Sequence, residues 1–132
     1  MIVIDASTIV SRALKDENSS RADAALSYAA DHGALVPGNF QTEIVNAIVK
    51  AERRGRLDQL KSGLILSEIA NMPLQAVFPD PHAVLAAART HGLTAYDAAY
   101  LALAMQQRCR LATVDVTLAA AAQKAGCEWR PA

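Results

Sequence analysis

The chain is 132 residues long, 52% apolar and 20% charged, with thirteen basic residues balanced by thirteen acidic ones. That length sets the expectation of a single domain over residues 1–132, with about 70% of the unfolded chain's surface buried, and the apolar content excludes a disordered chain. A formal net charge of zero counts against a uniformly basic nucleic-acid binder. The objection weakens if acids are consumed by cations: with four of them engaged, thirteen positive charges face nine negative ones.

Met1 to Asp5 reads as the first strand, a short apolar run rich in β-branched residues and without polar alternation, as in strands buried on both faces. Ser7 is the expected cap of a short helix through Leu14, the polar run Lys15 to Ser20 a loop, and Ser20 the cap of a helix over about residues 21–31 that Gly33 ends. Ala34 to Val36 is a brief strand. Pro37-Gly38-Asn39 leads into a helix over about 39–53, Gly55 breaks it, and a second helix over about 56–71 completes an antiparallel hairpin. Pro73 closes that element, and Leu74 to Phe78 is the next strand. Asp80-Pro81 is an N-cap followed by proline at the first helical position, with Gly92 just past the far end. Thr94 caps a helix that runs to about Arg108. Leu111 to Val114 is then a strand, Leu118 to Lys124 a helix and Glu128 to Arg130 a last strand. Short strands alternating with helices predict an α/β fold with a small, mainly parallel central sheet, flanked by helices and carrying a protruding helical hairpin.

No apolar run is long enough to cross a bilayer, and residues 1–4 lack the basic start and longer apolar core of a secretory signal. The expectation is a cytoplasmic protein without a membrane partner. Cys109 and Cys127 fit no metal spacing and read as reduced thiols. His32, His82 and His91 show no paired ligand spacing and read as helix-end or surface histidines.

Four acids stand out. Asp5 and Asp115 each follow a short apolar strand, and in an open α/β sheet the carboxyl ends of the strands are where ligands bind; each also reads as an ordinary N-cap at a strand-to-helix turn. Asp97 is the lone charge in the first two turns of a helix that is otherwise apolar all round. A capping role would serve it too. Glu43 lies about 60° round its helix from Phe40, at the border of the apolar stripe that Phe40 forms with Ile44, Ala47, Ile48 and Ala51. A half-exposed surface glutamate would sit there as well. Together, two acids ending strands and two beginning helices suit one crevice. Carboxylates ~4 Å apart repel by about 4 kcal/mol at an effective dielectric near 20, so such a cluster takes up protons or binds cations. Oxygen donors without His or Cys select hard ions, Mg²⁺ or Mn²⁺. One or two such ions suit metal-dependent phosphodiester hydrolysis, in which a pair can activate a water and stabilise the leaving oxygen.

Met1-Ile-Val-Ile-Asp5-Ala-Ser7, Val36-Pro37 with Glu43 in the following helix, Leu93-Thr-Ala-Tyr-Asp97-Ala-Ala-Tyr-Leu-Ala-Leu-Ala and Leu111-Ala-Thr113-Val-Asp115-Val-Thr-Leu118 resemble the PIN-domain ribonucleases, and among them the VapC-type toxins of type II toxin–antitoxin pairs. The resemblance spans essentially the whole chain. It implies that Asp5, Glu43, Asp97 and Asp115 are metal-binding carboxylates, and that Ser7 and Thr113 are hydroxyls beside the metal. As plain residues those two read equally as a helix cap and a strand threonine. It further implies Mg²⁺- or Mn²⁺-dependent endonucleolytic cleavage of RNA, inhibition by a cognate antitoxin protein, and assembly as a homodimer or a higher hetero-oligomer with the antitoxin. The chain departs from many relatives in placing Val116 and Thr117, neither basic nor aromatic, just after the fourth acid. RNA affinity would then come from a local patch, for which Lys50, Arg53, Arg54, Arg56 and Lys61 are candidates, net +3 over residues 50–61 with Glu52 and Asp58. The same charges also suit a solvated helix face.

Two other classes remain. One is a catalytically silent PIN-like binding module, against which stands the presence of all four acids. The other is an aspartyl-phosphate phosphatase or receiver-type domain. Such phosphatases want a second acid two positions after Asp5, where Ser7 stands, and receiver domains want a phosphoacceptor near the middle of the chain.

Overall fold

A computed structural model describes residues 1–15 and 19–132. In chain order its elements are β1 (Ile2–Ile4), α1 (Ala6–Leu14), α2 (Ser19–His32), β2 (Ala34–Pro37), α3 (Phe40–Arg53), α4 (Gln59–Ala70), β3 (Leu74–Val77), α5 (Pro81–His91), α6 (Ala95–Gln107), β4 (Arg110–Ala112) and α7 (Val116–Lys124). The four strands form one sheet in the order β3-β2-β1-β4, and every pairing is parallel. The α/β expectation, helices around a small parallel sheet, is therefore met. β1 is central, with Val3 opposite Leu35 on one side and Leu111 on the other. The chain builds outward from β1 to β2 and β3, then returns to set β4 against β1's free side. That reversal is the point at which open α/β sheets form their ligand crevice.

All three residues of β1 are buried, which with side chains alternating between faces means that both faces are covered; α6 and α2 both pack against it. Ala98 through Ala104 of α6 are buried without interruption. Four alanines in that stretch let the helix lie close to the sheet, while Tyr100, Leu101 and Leu103 fill the space between. On α3 the buried residues are Phe40, Ile44, Ile48 and Ala51, the stripe that the helical period places on one face, with Ala47 half-buried beside them. α4 is exposed along most of its length; Asp58 caps it through Lys61 N at 2.8 Å, and Ser62 Oγ ties it to α3 by donating to Glu52 Oε2 at 2.6 Å.

Three local expectations need correction. Asp5, not Ser7, caps α1: its carboxylate accepts from Thr8 N, and an ionised acceptor outcompetes a hydroxyl for an orphan N–H. Ser20 lies inside α2, which begins at Ser19; of the loop expected over Lys15 to Ser20, positions 16–18 lie outside the described residues. The strand expected over Glu128 to Arg130 is a single bridge, Leu111 to Glu128. Trp129 N still donates to Leu111 O at 2.9 Å, but Pro131 has no N–H with which to extend the ladder. Both cysteines are free, Cys127 buried and Cys109 half-buried. His32 stacks on Tyr28 at the end of α2, with ring centroids 4.0 Å apart. Among the described residues, no helix is long and apolar enough to cross a membrane.

Candidate metal centre

Asp5 follows β1 directly and is only 4% exposed. Its Oδ1 accepts from Thr8 N at 3.1 Å and Thr8 Oγ1 at 2.6 Å, and its Oδ2 from Ser7 Oγ and Thr113 Oγ1, both at 2.7 Å. Four donors thus fill the four lone-pair directions of one carboxylate. Burial pushes the Asp5 pKa up, and the hydroxyl and backbone donors offset part of that rise. Thr113 couples the ends of the two neighbouring strands: while it donates to Asp5, its oxygen accepts from Asp115 N at 3.0 Å. Asp115 in turn caps α7 by accepting from Leu118 N at 2.8 Å.

Asp97 is held at the start of α6, where its N–H donates to the capping Thr94 hydroxyl at 3.2 Å. Burial, then the charges of Asp115 and Asp5, raise its pKa, and Thr94 lowers it in part. Glu43, in the first turn of α3, is half-buried. Burial is the main cause that lifts its pKa from the ordinary 4.5 to about 7, and the charges of Asp5 and Asp97 add to it. Its Oε1 and the hydroxyl of Tyr100 are both buried without a partner in hydrogen-bond geometry, although the two act on each other's proton affinity across the site. The four predicted acids therefore share one electrostatic neighbourhood at the carboxyl edge of β1 and β4.

An all-oxygen donor set of mutually repelling carboxylates, one of them with an orphaned buried oxygen, fits a hard divalent cation. Among the described residues, no three Asp, Glu, His or Cys side chains stand close enough together to hold one ion as they are. Asp5 also has no lone pair to spare, so a cation there displaces a hydroxyl donor or is reached through water. Ser7, only half-buried, is the one most able to turn away.

A cleft of about 990 Å³ leads away from the acids. Ser7, Glu43 and Asp115 line it, as do Lys50, Arg54 and Arg56. Of the five basic candidates, those three share a cleft with the acids. Lys61 instead lines a separate groove between α1 and α4, and Arg53, although exposed, lines neither. The sequence reading missed Thr8, Tyr100 and Tyr96. Thr8, at N3 of α1, could have been found from the capping pattern once Asp5 rather than Ser7 was taken as the cap. Tyr100 carries no signal apart from its position one helical turn after Asp97. Tyr96 is 63% exposed and lines the cleft.

The sequence profile of the PIN domain matches residues 2–127. Over 123 residues, covering 89% of this chain and 92% of the relative, the sequence is 33% identical to Ribonuclease VapC3 of Pyrobaculum aerophilum. The fold is similar to the crystal structure of PAE2754 from the same organism, with a TM-score of 0.70 and 25% identity over 91% of this chain and 83% of that one.

Proposed function

The chain belongs to the PIN-domain family, and from that premise we propose that it is a divalent-cation-dependent endoribonuclease acting as the toxin of a toxin–antitoxin pair. The observation that carries the reading is that four carboxylates from four separate segments act on one another electrostatically, and that two of them, Glu43 and Asp115, line a cleft that Lys50, Arg54 and Arg56 also line. The similarity to a ribonuclease over nearly the full chain supports RNA as the substrate.

Asp5, Asp97 and Asp115 would hold Mg²⁺ or Mn²⁺, one ion or two, and Glu43 would complete the site directly or through water. When bound, such a cation supplies Lewis-acid polarisation of the phosphate and a more acidic water. The protein's own groups do the rest. Thr8 and Thr113 fix the Asp5 carboxylate, Thr113 keeps Asp115 in register with it, and Glu43 can hold or release a proton near neutral pH. Lys50, Arg54 and Arg56 draw the phosphodiester backbone along the cleft. No protein nucleophile is needed. Similarity to a VapC protein supports control by an antitoxin and assembly as a homodimer, or as a larger complex with the antitoxin; light scattering of the chain alone and with a co-expressed antitoxin tests the assembly, and RNA cleavage with and without the antitoxin tests the control.

The decisive experiment is incubation of total cellular RNA with purified protein in Mg²⁺, Mn²⁺ or EDTA, with cut sites mapped. Cleavage is expected in either metal and absent in EDTA. Asp97→Asn is expected to keep the fold and abolish cleavage. Equal cutting in EDTA, or full activity of Asp97→Asn, overturns the reading.

A further inference from the structure

Thr8 and Thr113, whose hydroxyls hold Asp5, also line a second pocket, of about 360 Å³. Val114 borders both this pocket and the acid-lined cleft, so the two lie on either side of one residue next to Asp115. The rest of the lining comes from elsewhere in the chain: Arg21 from the first turn of α2, and Glu128, Trp129 and Arg130 from the segment after α7. Trp129 is half-buried and leans on Tyr28, with ring centroids 5.6 Å apart. Glu128 Oε2 fixes the Arg130 guanidinium through Nε at 3.2 Å and Nη2 at 3.0 Å. Among the described residues, Arg21 makes no ion pair. None of Arg21, Glu128, Trp129 and Arg130 belongs to the metal centre or to the basic patch of α3.

Lys50, Arg54 and Arg56 line the acid-lined cleft, and Arg21 and Arg130 line the pocket that meets it at Val114, so a strand that passes the carboxylates can find cations in both. We propose that the second pocket is a nucleotide subsite. It takes one nucleotide of the RNA strand beside the bond that is cut, with the base against Trp129 and the phosphate between Arg21 and Arg130. The volume lies in the range of small-ligand sites. An aromatic face with guanidinium groups is the usual means of holding single-stranded nucleic acid without reading its sequence. The substrate class rests on the ribonuclease reading, but occupancy of the pocket can be measured separately.

Trp129 is the chain's only tryptophan, so its fluorescence reports on this pocket alone. Asp97→Asn protein, and wild-type protein in EDTA as a control that needs no substitution, are titrated with a labelled single-stranded oligoribonucleotide. Binding is followed by the label's anisotropy and by Trp129 emission. Quenching that tracks the anisotropy is expected, with affinity weakened about tenfold by Arg21→Ala or Trp129→Leu and cut sites shifted in the active background. Unchanged Trp129 emission at saturation, absence of binding, or Arg21→Ala binding as tightly as its parent overturns the subsite. If Trp129 is quenched but wild-type protein cleaves nothing in Mg²⁺, the ribonuclease reading fails and the subsite stands. If cleavage proceeds while Trp129 stays silent, the subsite alone fails.

Discussion

Asp5 both caps a helix and stands where a cation would be held, and substitution separates the two contributions. Asp5→Ala removes the α1 cap and leaves the buried hydroxyls of Thr8 and Thr113 without their acceptor, a destabilisation of about 2–4 kcal/mol that a urea midpoint reads. Asp5→Asn keeps a carbonyl oxygen for Thr8 and is expected to lose less than half as much stability, while RNA cleavage disappears in both variants. Glu43 sets a pH dependence of definite sign. Its carboxyl is raised from 4.5 to about 7 in the folded chain, so its stabilising, protonated form is complete below about pH 4.5. As pH rises, the unfolded chain ionises first, and that contribution is lost by about pH 7. A divalent cation works in the opposite direction because it favours the carboxylate. Thermal melts should therefore show little stabilisation by Mg²⁺ at pH 5 and most above pH 7, and Glu43→Gln should flatten the metal-free slope between those limits. A Mg²⁺ shift independent of pH would remove Glu43 from the site.

Caps carry most of the positional information in this chain, and they explain what was legible in its sequence. Thr94 and Asp80-Pro81 announce α6 and α5 because a side-chain acceptor followed by a helical run has few other uses, and Thr94 and Asp80 are the N-caps of those helices. The same logic misassigned the start of α1, where Asp5 and Ser7 compete for one role and the charged group wins. Each acid was legible as a strand end or a helix start. The hydroxyls that organise them were less so, since the Thr113–Asp5 bond spans 108 positions and no local pattern encodes it. The second pocket was invisible for the same reason, being built from α1, α2, the end of β4 and the C-terminal segment. Because Thr94 holds the first turn of α6, Thr94→Ala is expected to cost about 1 kcal/mol of stability. It should also reduce cleavage by more than that loss accounts for at temperatures where the variant is fully folded, because Asp97 N loses its acceptor. Cleavage at the parental rate would mean that Asp97 is positioned by the sheet alone.

Over the whole molecule the charges cancel, yet their distribution is uneven: carboxylates converge on one edge of the sheet, and cations flank them. Net charge therefore says little about affinity for RNA, whereas the salt dependence of binding counts the cations that meet phosphate. Each contact to a single strand contributes about −0.7 to the slope of log K against log salt. Three cations share the acid-lined cleft, so that cleft alone predicts a slope of about −2, and the one phosphate held between Arg21 and Arg130 at the second pocket would steepen it to roughly −2.8. Anisotropy titrations of Asp97→Asn protein in EDTA, from low to physiological salt, measure the slope directly. Lys50→Ala should make it shallower by about 0.7 and weaken binding to all sequences alike. Lys61→Ala, on a separate groove, should leave it unchanged. A slope near zero would mean that the strand is held without these side chains; equal effects of Lys50→Ala and Lys61→Ala would mean that it follows the hairpin surface instead of the cleft.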